Sequence, residues 1–287
     1  METLASIAID AFAYGTVLFI ISIGLSVTLG LMRVVNLAHG AFAMIGGYLA
    51  SYGVTELRLH YFVAMILAIV LTILIAIPAE RFLYRKIYGA PELTQVLMTI
   101  GITFLVIGVT NYVAGPTLKT IPLPDFLTGA VDIGFRALPK QRLFLIVTGM
   151  VVAAGLWFLI EKTNFGIKLR AAVDNANMAQ VLGIRTQVIY AVSFAIAIGL
   201  AAMGGIIGSE LLPLDPYYAM RYMVVFLVVV SIGGAGSIPG ALFSSLLLGV
   251  IDTTGRYIAP EFGEFFFYFA VIFIVTLFPR GLAGRMK

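Results

Sequence analysis

Long windows without a single charged residue leave this chain few ways to fold. Residues 11–32, 34–55, 61–79, 93–118, 143–160, 186–209, 222–251 and 265–279 contain no Asp, Glu, Lys or Arg. About 20 mostly apolar residues are enough for a helix to cross the hydrocarbon core of a bilayer. Only 11% of the residues are charged and 61% are hydrophobic, whereas a soluble domain carries roughly a quarter charged. The windows predict an all-α membrane protein, a polytopic helical bundle of about eight spans in one transmembrane domain over residues 1–287. The last window extends back through Phe262, and "EFFFYF" (264–269) reads as a lipid-facing aromatic girdle.

One window cannot be a plain helix. "GGAGSIPG" (233–240) divides the long window 222–251. Glycine and proline at that density are tolerated at membrane depth only where protein or a wet cavity satisfies the freed backbone groups. We expect two short helical pieces joined by a turn, either two crossings or one re-entrant hairpin. In "RVVNLAHGAFAMIGGY" (33–48), Asn36 and His39 stand three apart, on one face of any continuous helix. Either they line a polar route through a broken span, together with Gly40, or they lock neighbouring helices by hydrogen bonds. Gly233, Gly234 and Ser237 face the same choice between gate and tight packing, and Asn111 is a further candidate for the route. Arg33 reads as a snorkelling residue at a span end. Glu210 and Asp215, near an outer end, either meet solute or the binding protein or, as the commoner use of such acids, are solvated at the surface.

Other chemistry is excluded early. The chain has no cysteine, so disulfides and thiolates are out. Its two histidines, His39 and His60, are too far apart for a local metal motif, and no metal-ligand cluster is present. No serine–histidine or paired-carboxylate arrangement suggests an enzyme. The net charge of +4 comes from residues bordering apolar windows, which fits anchoring and orientation better than nucleic acid. The N-terminal "METLASIAID" lacks a basic region, and the apolar run after it is longer than a signal-peptide core, so it reads as retained structure.

Cationic residues set the expected orientation. Arg81, Arg85 and Lys86, then Lys162, Lys168, Arg170 and Arg185, then Arg280, Arg285 and Lys287 fit the cytoplasm if the N-terminus is outside and the C-terminus cytoplasmic. Lys119, Arg136, Lys140 and Arg142 fall on the opposite side and run against the rule. The cytoplasmic loop 161–187, "EKTNFGIKLRAAVDNANMAQVLGIRTQ", is too patterned for a linker. Asp174 is placed to cap a short helix, Met178, Val181 and Leu182 share one face, and Gly183 sits where the helix would stop. Such a helix either lies on anionic lipid or seats in a partner's groove.

The segments "VVNLAHGAFAMIGGYLA" (34–50), "AERFLYRKIYGAP" (79–91), "GIKLRAAVDNANMAQVLGI" (166–184), "IGGAGSIPGALFSSLLLGVID" (232–252) and "FPRGLAGR" (278–285) occur in the order of one family. The chain resembles the LivH-type permease subunits of branched-chain amino acid ABC importers, in the broader group that includes the ribose importer permeases. The resemblance implies a bacterial inner-membrane subunit that passes branched-chain or related amino acids delivered by a periplasmic solute-binding protein. It also implies a second, LivM-like permease and two cytoplasmic ATPases that carry the ATP and Mg. By the same resemblance Gly166, Arg170, Ala171, Asp174, Ala179 and Gly183 form the ATPase coupling segment, with Arg170 and Asp174 on its water-exposed surface. The residues themselves agree that ATP is handled elsewhere: no G-x-x-x-x-G-K-[ST] occurs, nor any Gly-Lys pair. Two departures bear on the substrate. Ala41 stands where many relatives have a glutamate, and Arg221 is the nearest cation where relatives often have a lysine. The alternative is a passive channel for a small neutral solute such as urea or a short amide.

Overall fold

The computed structural model describes residues 2–132, 137–278 and 281–282. Arg136, Arg280, Arg285 and Lys287, four of the cations that bear on orientation, lie outside them. The fold is built around one helix. In α1 (Glu2–Leu31), the consecutive residues Val17, Leu18, Phe19, Ile20 and Ile21 are all wholly inaccessible. At about 100° per residue, five in a row cover the full circumference, so α1 is enclosed on every side.

The other apolar helices follow in chain order. They are α2 (His39–Thr55), α3 (Tyr61–Ala79), α5 (Glu92–Ala114), α6 (Lys140–Lys162), α9 (Thr186–Ile207), α10 (Tyr218–Gly233), α11 (Ile238–Ile258) and α12 (Gly263–Leu277). Past Pro78, α3 runs through a π-helical turn, Glu80–Tyr84, into the single turn α4 (Arg85–Ile87). Two short helices, α7 (Asn164–Asp174) and α8 (Ala176–Val181), fill the 161–187 loop. A two-stranded antiparallel pair, β1 (Ala130–Asp132) and β2 (Ala137–Pro139), lies between α5 and α6. Among the described residues, six helices are long and apolar enough to cross a membrane. α2, α10 and α12 are shorter. The eight windows thus yield nine apolar helices among the described residues, because 222–251 splits at Gly234–Ser237 into two, joined by a turn as expected.

Close approach of backbones holds the bundle. α11 runs antiparallel to α1, with Gly15 against Ser245 and Leu246 and Gly249 against Ala11. A Cβ on Gly24 of α1 would stand 2.5 Å from the Ala197 carbonyl oxygen of α9 and 2.8 Å from the His39 ring. Lipid offers helices no hydrophobic reason to associate, so such fits supply much of the packing energy. Gly24→Val is therefore expected to lose about 1–3 kcal/mol by overpacking, read as a lowered thermal midpoint in detergent. An unchanged midpoint would contradict this packing. The outward faces are apolar: Leu74 and Ile75 on α3 and Phe265, Phe269 and Ile272 on α12 are all more than half exposed.

Candidate functional site

The second span is broken. Between α1 and α2, residues 33–38 run back into the bundle outside any helix. Arg33 takes a positive φ of 54° and Met32 and Val34 both donate to the Thr28 carbonyl, which makes the turn. The extended segment is then satisfied by side chains of α5. The Val35 amide donates to Gln95 Oε1 at 2.8 Å and the Leu37 amide to Thr99 Oγ1 at 3.2 Å. Gln95 also donates through Nε2 to the carbonyls of Ile87 and Ala90, at 3.2 and 3.1 Å, and so clamps two loops at once. The polar face of α5, Gln95, Thr99 and Thr103 at i, i+4 and i+8, is buried.

At the end of this segment Asn36 and His39 are both fully buried. Asn36 precedes the helix, so the two residues do not share a helical face. Asn36 Oδ1 accepts from the Tyr84 hydroxyl at 2.8 Å, and His39 Nε2 meets the Ile21 carbonyl at 2.8 Å. A carbonyl only accepts, so Nε2 carries the proton and Nδ1 is left as a bare acceptor. His39 Nδ1, Asn36 Nδ2, Ser22 Oγ and the Tyr218 hydroxyl are buried without a hydrogen-bond partner. Ile21 lies nine residues before Gly30 along α1, about 14 Å in from that end, so this polar group sits near mid-span.

The other candidates lie elsewhere. Gly40 faces Ala219 and Phe226 of α10. Asn111 is twelve residues beyond Thr99 on α5, about 18 Å further along the helix, and is not brought to this group. Gly234 and Gly236 take positive φ values of 86° and 82°, the conformation that makes the α10–α11 turn. Gly233 and Gly240 meet backbone to backbone, Ser237 Oγ caps α11 by accepting from the Gly240 amide at 3.0 Å, and the Gly236 amide donates to Ser26 of α1. The Leu282 amide bonds the Ile232 carbonyl, which brings the C-terminal segment to the same end.

The 161–187 loop is a built element anchored at this hairpin end. Gly166 lies so close to the Ile160 carbonyl that no side chain fits between α6 and α7. Arg170 donates to that same carbonyl at 2.8 Å and pairs with Glu161 at 3.6 Å, with about two-fifths of its side chain still exposed. Asn175, not Asp174, caps α8, its side chain accepting from the Met178 amide at 2.9 Å; Asp174 ends α7 and is exposed. Ala171 is half-buried and Ala179 is buried. Gly183, with φ 82°, ends α8 in a Schellman turn in which Ile184 N–H bonds Ala179 O and Gly183 N–H bonds Gln180 O. Met178, Val181 and Leu182 are left 56%, 82% and 72% exposed.

At the opposite end lies a cavity of about 710 Å³, within the usual range for small-molecule sites. Arg142 and Asp10, Arg221, and Arg256 and Asp252 line it, with Tyr14, Tyr222 and Tyr268. Each arginine has an aspartate: Arg142 Nε stands 3.4 Å from Asp10, Arg256 grips Asp252 at 2.8 and 3.2 Å, and Arg221 pairs with Asp215 behind the wall. Asp215 is buried and also caps the start of α10 through the Tyr217 amide, so it is not a solvated surface acid. Burial holds the Glu210 carboxyl above its ordinary range, against the opposing pull of Arg142 and a hydrogen bond from Gln141. Within "EFFFYF", Phe265 and Phe269 face outward, but Phe267 is buried and lines the cavity with Tyr268. Sequence reading missed this cavity. Its only trace was that Arg221 and Asp252 bound one charge-free window and that Asp252 and Arg256 stand at i, i+4.

The family described as "Branched-chain amino acid transport system / permease component" matches residues 7–276. The chain belongs to that family. This permease is 27% identical over 290 residues to the high-affinity branched-chain amino acid transport system permease protein BraD of Pseudomonas aeruginosa, covering 96% of this chain and 94% of that one. It is 28% identical over 288 residues to LivH of Escherichia coli, with 94% and 92% covered. A shorter match, 28% over 143 residues and 47% of this chain, reaches the autoinducer 2 import system permease protein LsrC of Salmonella paratyphi B. Among solved structures, PsaBC from Streptococcus pneumoniae in complex with Fab has a TM-score of 0.52 at 14% identity, over 96% of this permease and 92% of that chain. At that identity the likeness speaks for the fold alone.

Proposed function

We propose that this permease forms one half of the membrane pathway of an ATP-driven importer in the bacterial inner membrane. Its substrates are branched-chain or related amino acids handed over by a periplasmic binding protein. The cavity end faces outward with the N-terminus, and the hairpin end, with the C-terminus, faces the cytoplasm. An odd number of helices alternating in direction, nine among the described residues, fits opposite sides for the two termini. Arg81, Lys86, Lys162, Lys168 and Arg185 then gather on the cytoplasmic side, while Arg142, Arg221 and Arg256 at the other end each stand against an aspartate.

One observation carries the coupling role. α8 is firmly seated by its caps and by the bond from Gln180 to Thr186 at the start of α9, yet Met178, Val181 and Leu182 project from it uncovered. A rigid helix with an apolar ridge suits a groove on an ATPase subunit, two of which, with ATP and Mg, would serve this permease and a second, LivM-like one. The route for solute would run from the cavity past Tyr218, Ser22, His39 and Asn36, each of which buries a polar atom without a hydrogen-bond partner. Tyr218 and Phe226 of α10 are buried, so passage of a solute between them would require them to move.

The test is reconstitution. Vesicles containing this permease, its partner permease and the ATPases should take up leucine only with ATP inside and the binding protein outside. Vesicles with the permease alone should show neither uptake nor ATP hydrolysis. Uptake that persists without the ATPases would end this reading.

A further inference from the structure

We propose that the outer cavity is a binding site for a free α-amino acid, with Arg142 holding the carboxylate and Asp10 the ammonium. The choice of an amino acid as ligand rests on the proposed importer function; the placement rests on the cavity. Three features of the walls argue for a zwitterion. Three arginines and two aspartates line it, so a carboxylate finds donors there and an ammonium finds acceptors. The pairs are also unequal. Arg256 and Asp252 satisfy each other by two bonds, and Asp215 lies mostly buried behind Arg221. Arg142 and Asp10 touch only at 3.4 Å, each with about a quarter of its side chain exposed.

Arg142 lines the cavity and keeps about a quarter of its side chain exposed, while its Nη1 is buried away from solvent without a hydrogen-bond partner. A carboxylate is the acceptor that suits a guanidinium best, because it can take two parallel N–H bonds. The α-ammonium of an amino acid is joined to its carboxylate through one carbon, so a neighbouring Asp–Arg pair matches both ends of the group. The remaining wall is apolar: Leu212, Val225 and Phe267 are all buried and border the same space. They offer contact to an aliphatic side chain, where one methylene more or less is worth about tenfold or somewhat more in preference.

The experiment uses the full-length chain in phosphatidylcholine nanodiscs with tritiated leucine as probe. Leucine should bind and be displaced by isoleucine and valine. Leucinamide, which lacks the carboxylate, and 4-methylpentanoate, which lacks the ammonium, should compete at least tenfold more weakly. This comparison needs no variant. Arg142→Ala and Asp10→Asn should each weaken leucine binding at least tenfold, Arg142→Lys should restore part of it, and Arg81→Ala, at the other end, should change nothing. Equal competition by leucinamide or 4-methylpentanoate would overturn the proposal, as would no leucine binding at millimolar concentration. Phosphatidylglycerol that copurifies with the chain and resists displacement by leucine would overturn it in favour of a lipid headgroup. Full ATP-driven leucine uptake by a reconstituted complex carrying Arg142→Ala would sink the site and leave the importer reading standing.

Discussion

Replacing Val181 and Leu182 together with lysine is expected to reduce ATP-driven uptake by at least a hundredfold while the permease remains folded. Both side chains are more than two-thirds exposed, so the isolated chain has almost nothing to lose; surface changes of this kind usually fall within ±0.5 kcal/mol. Lysine at the end of α8 even agrees with the helix dipole. Seated in a protein groove, by contrast, each apolar side chain contributes about 1.5–3 kcal/mol, and a buried ammonium would add a desolvation cost. The loss of about 3–6 kcal/mol corresponds to two to four decades in affinity. Lysine also separates the two uses of an amphipathic helix. If the ridge lay on anionic lipid, added positive charge would strengthen its attachment by about 1 kcal/mol per residue and uptake would survive. The measurements are uptake in vesicles and copurification of the ATPase. Unchanged values for both would rule out the groove.

What the sequence discloses about this fold depends on how local the cause is. Charge-free windows are legible because the bilayer acts on every residue of a span alike. The split of 222–251 is legible because Gly234 and Gly236 occupy backbone conformations that other residues avoid. Gly183 stops α8 for the same reason. The break before α2 is different. Residues 33–38 are nearly as apolar as α2 itself, and their extended path is fixed by Gln95 and Thr99, about sixty positions away. Asn36 therefore looks helical in sequence and is not. Arg170 looks like unbonded surface until the Ile160 carbonyl is seen beside it. The cavity is the extreme case, since Asp10 and Arg142 stand 132 positions apart and meet only when α6 packs on α1. Arg142 seemed an anomaly of orientation in the sequence, and in the structure it is half of an ion pair.

The clamp at Gln95 gives the second large effect. Gln95→Leu preserves helix propensity and approximate volume but removes one acceptor and two donor contacts. It strands the Val35 amide and leaves the Ile87 and Ala90 carbonyls without the Nε2 donor that serves them in the native structure. Each buried backbone group left unsatisfied costs about 1–3 kcal/mol; the Ile87 carbonyl keeps its bond from the Ala90 amide, so the Val35 amide and the Ala90 carbonyl set the loss at about 2–4 kcal/mol, a large part of the 5–15 kcal/mol that holds typical domains together. The damage should also be directional. The 33–38 segment and the Tyr84–Asn36 bond beside it would loosen first, while the α1–α11 contact, made by close-packed glycines, would hold. Hydrogen exchange on the detergent-solubilised chain should accordingly show residues 33–38 losing protection well before residues 10–20. Gln95→Glu tests the same clamp from another side. It keeps an acceptor for Val35 but turns a carboxylate oxygen toward two carbonyls, and so should be at least as damaging as leucine. If Gln95→Leu melts within a degree of the native chain and exchanges like it, the extended segment is held by something other than α5. The broken span would then be a consequence of the α1 turn alone.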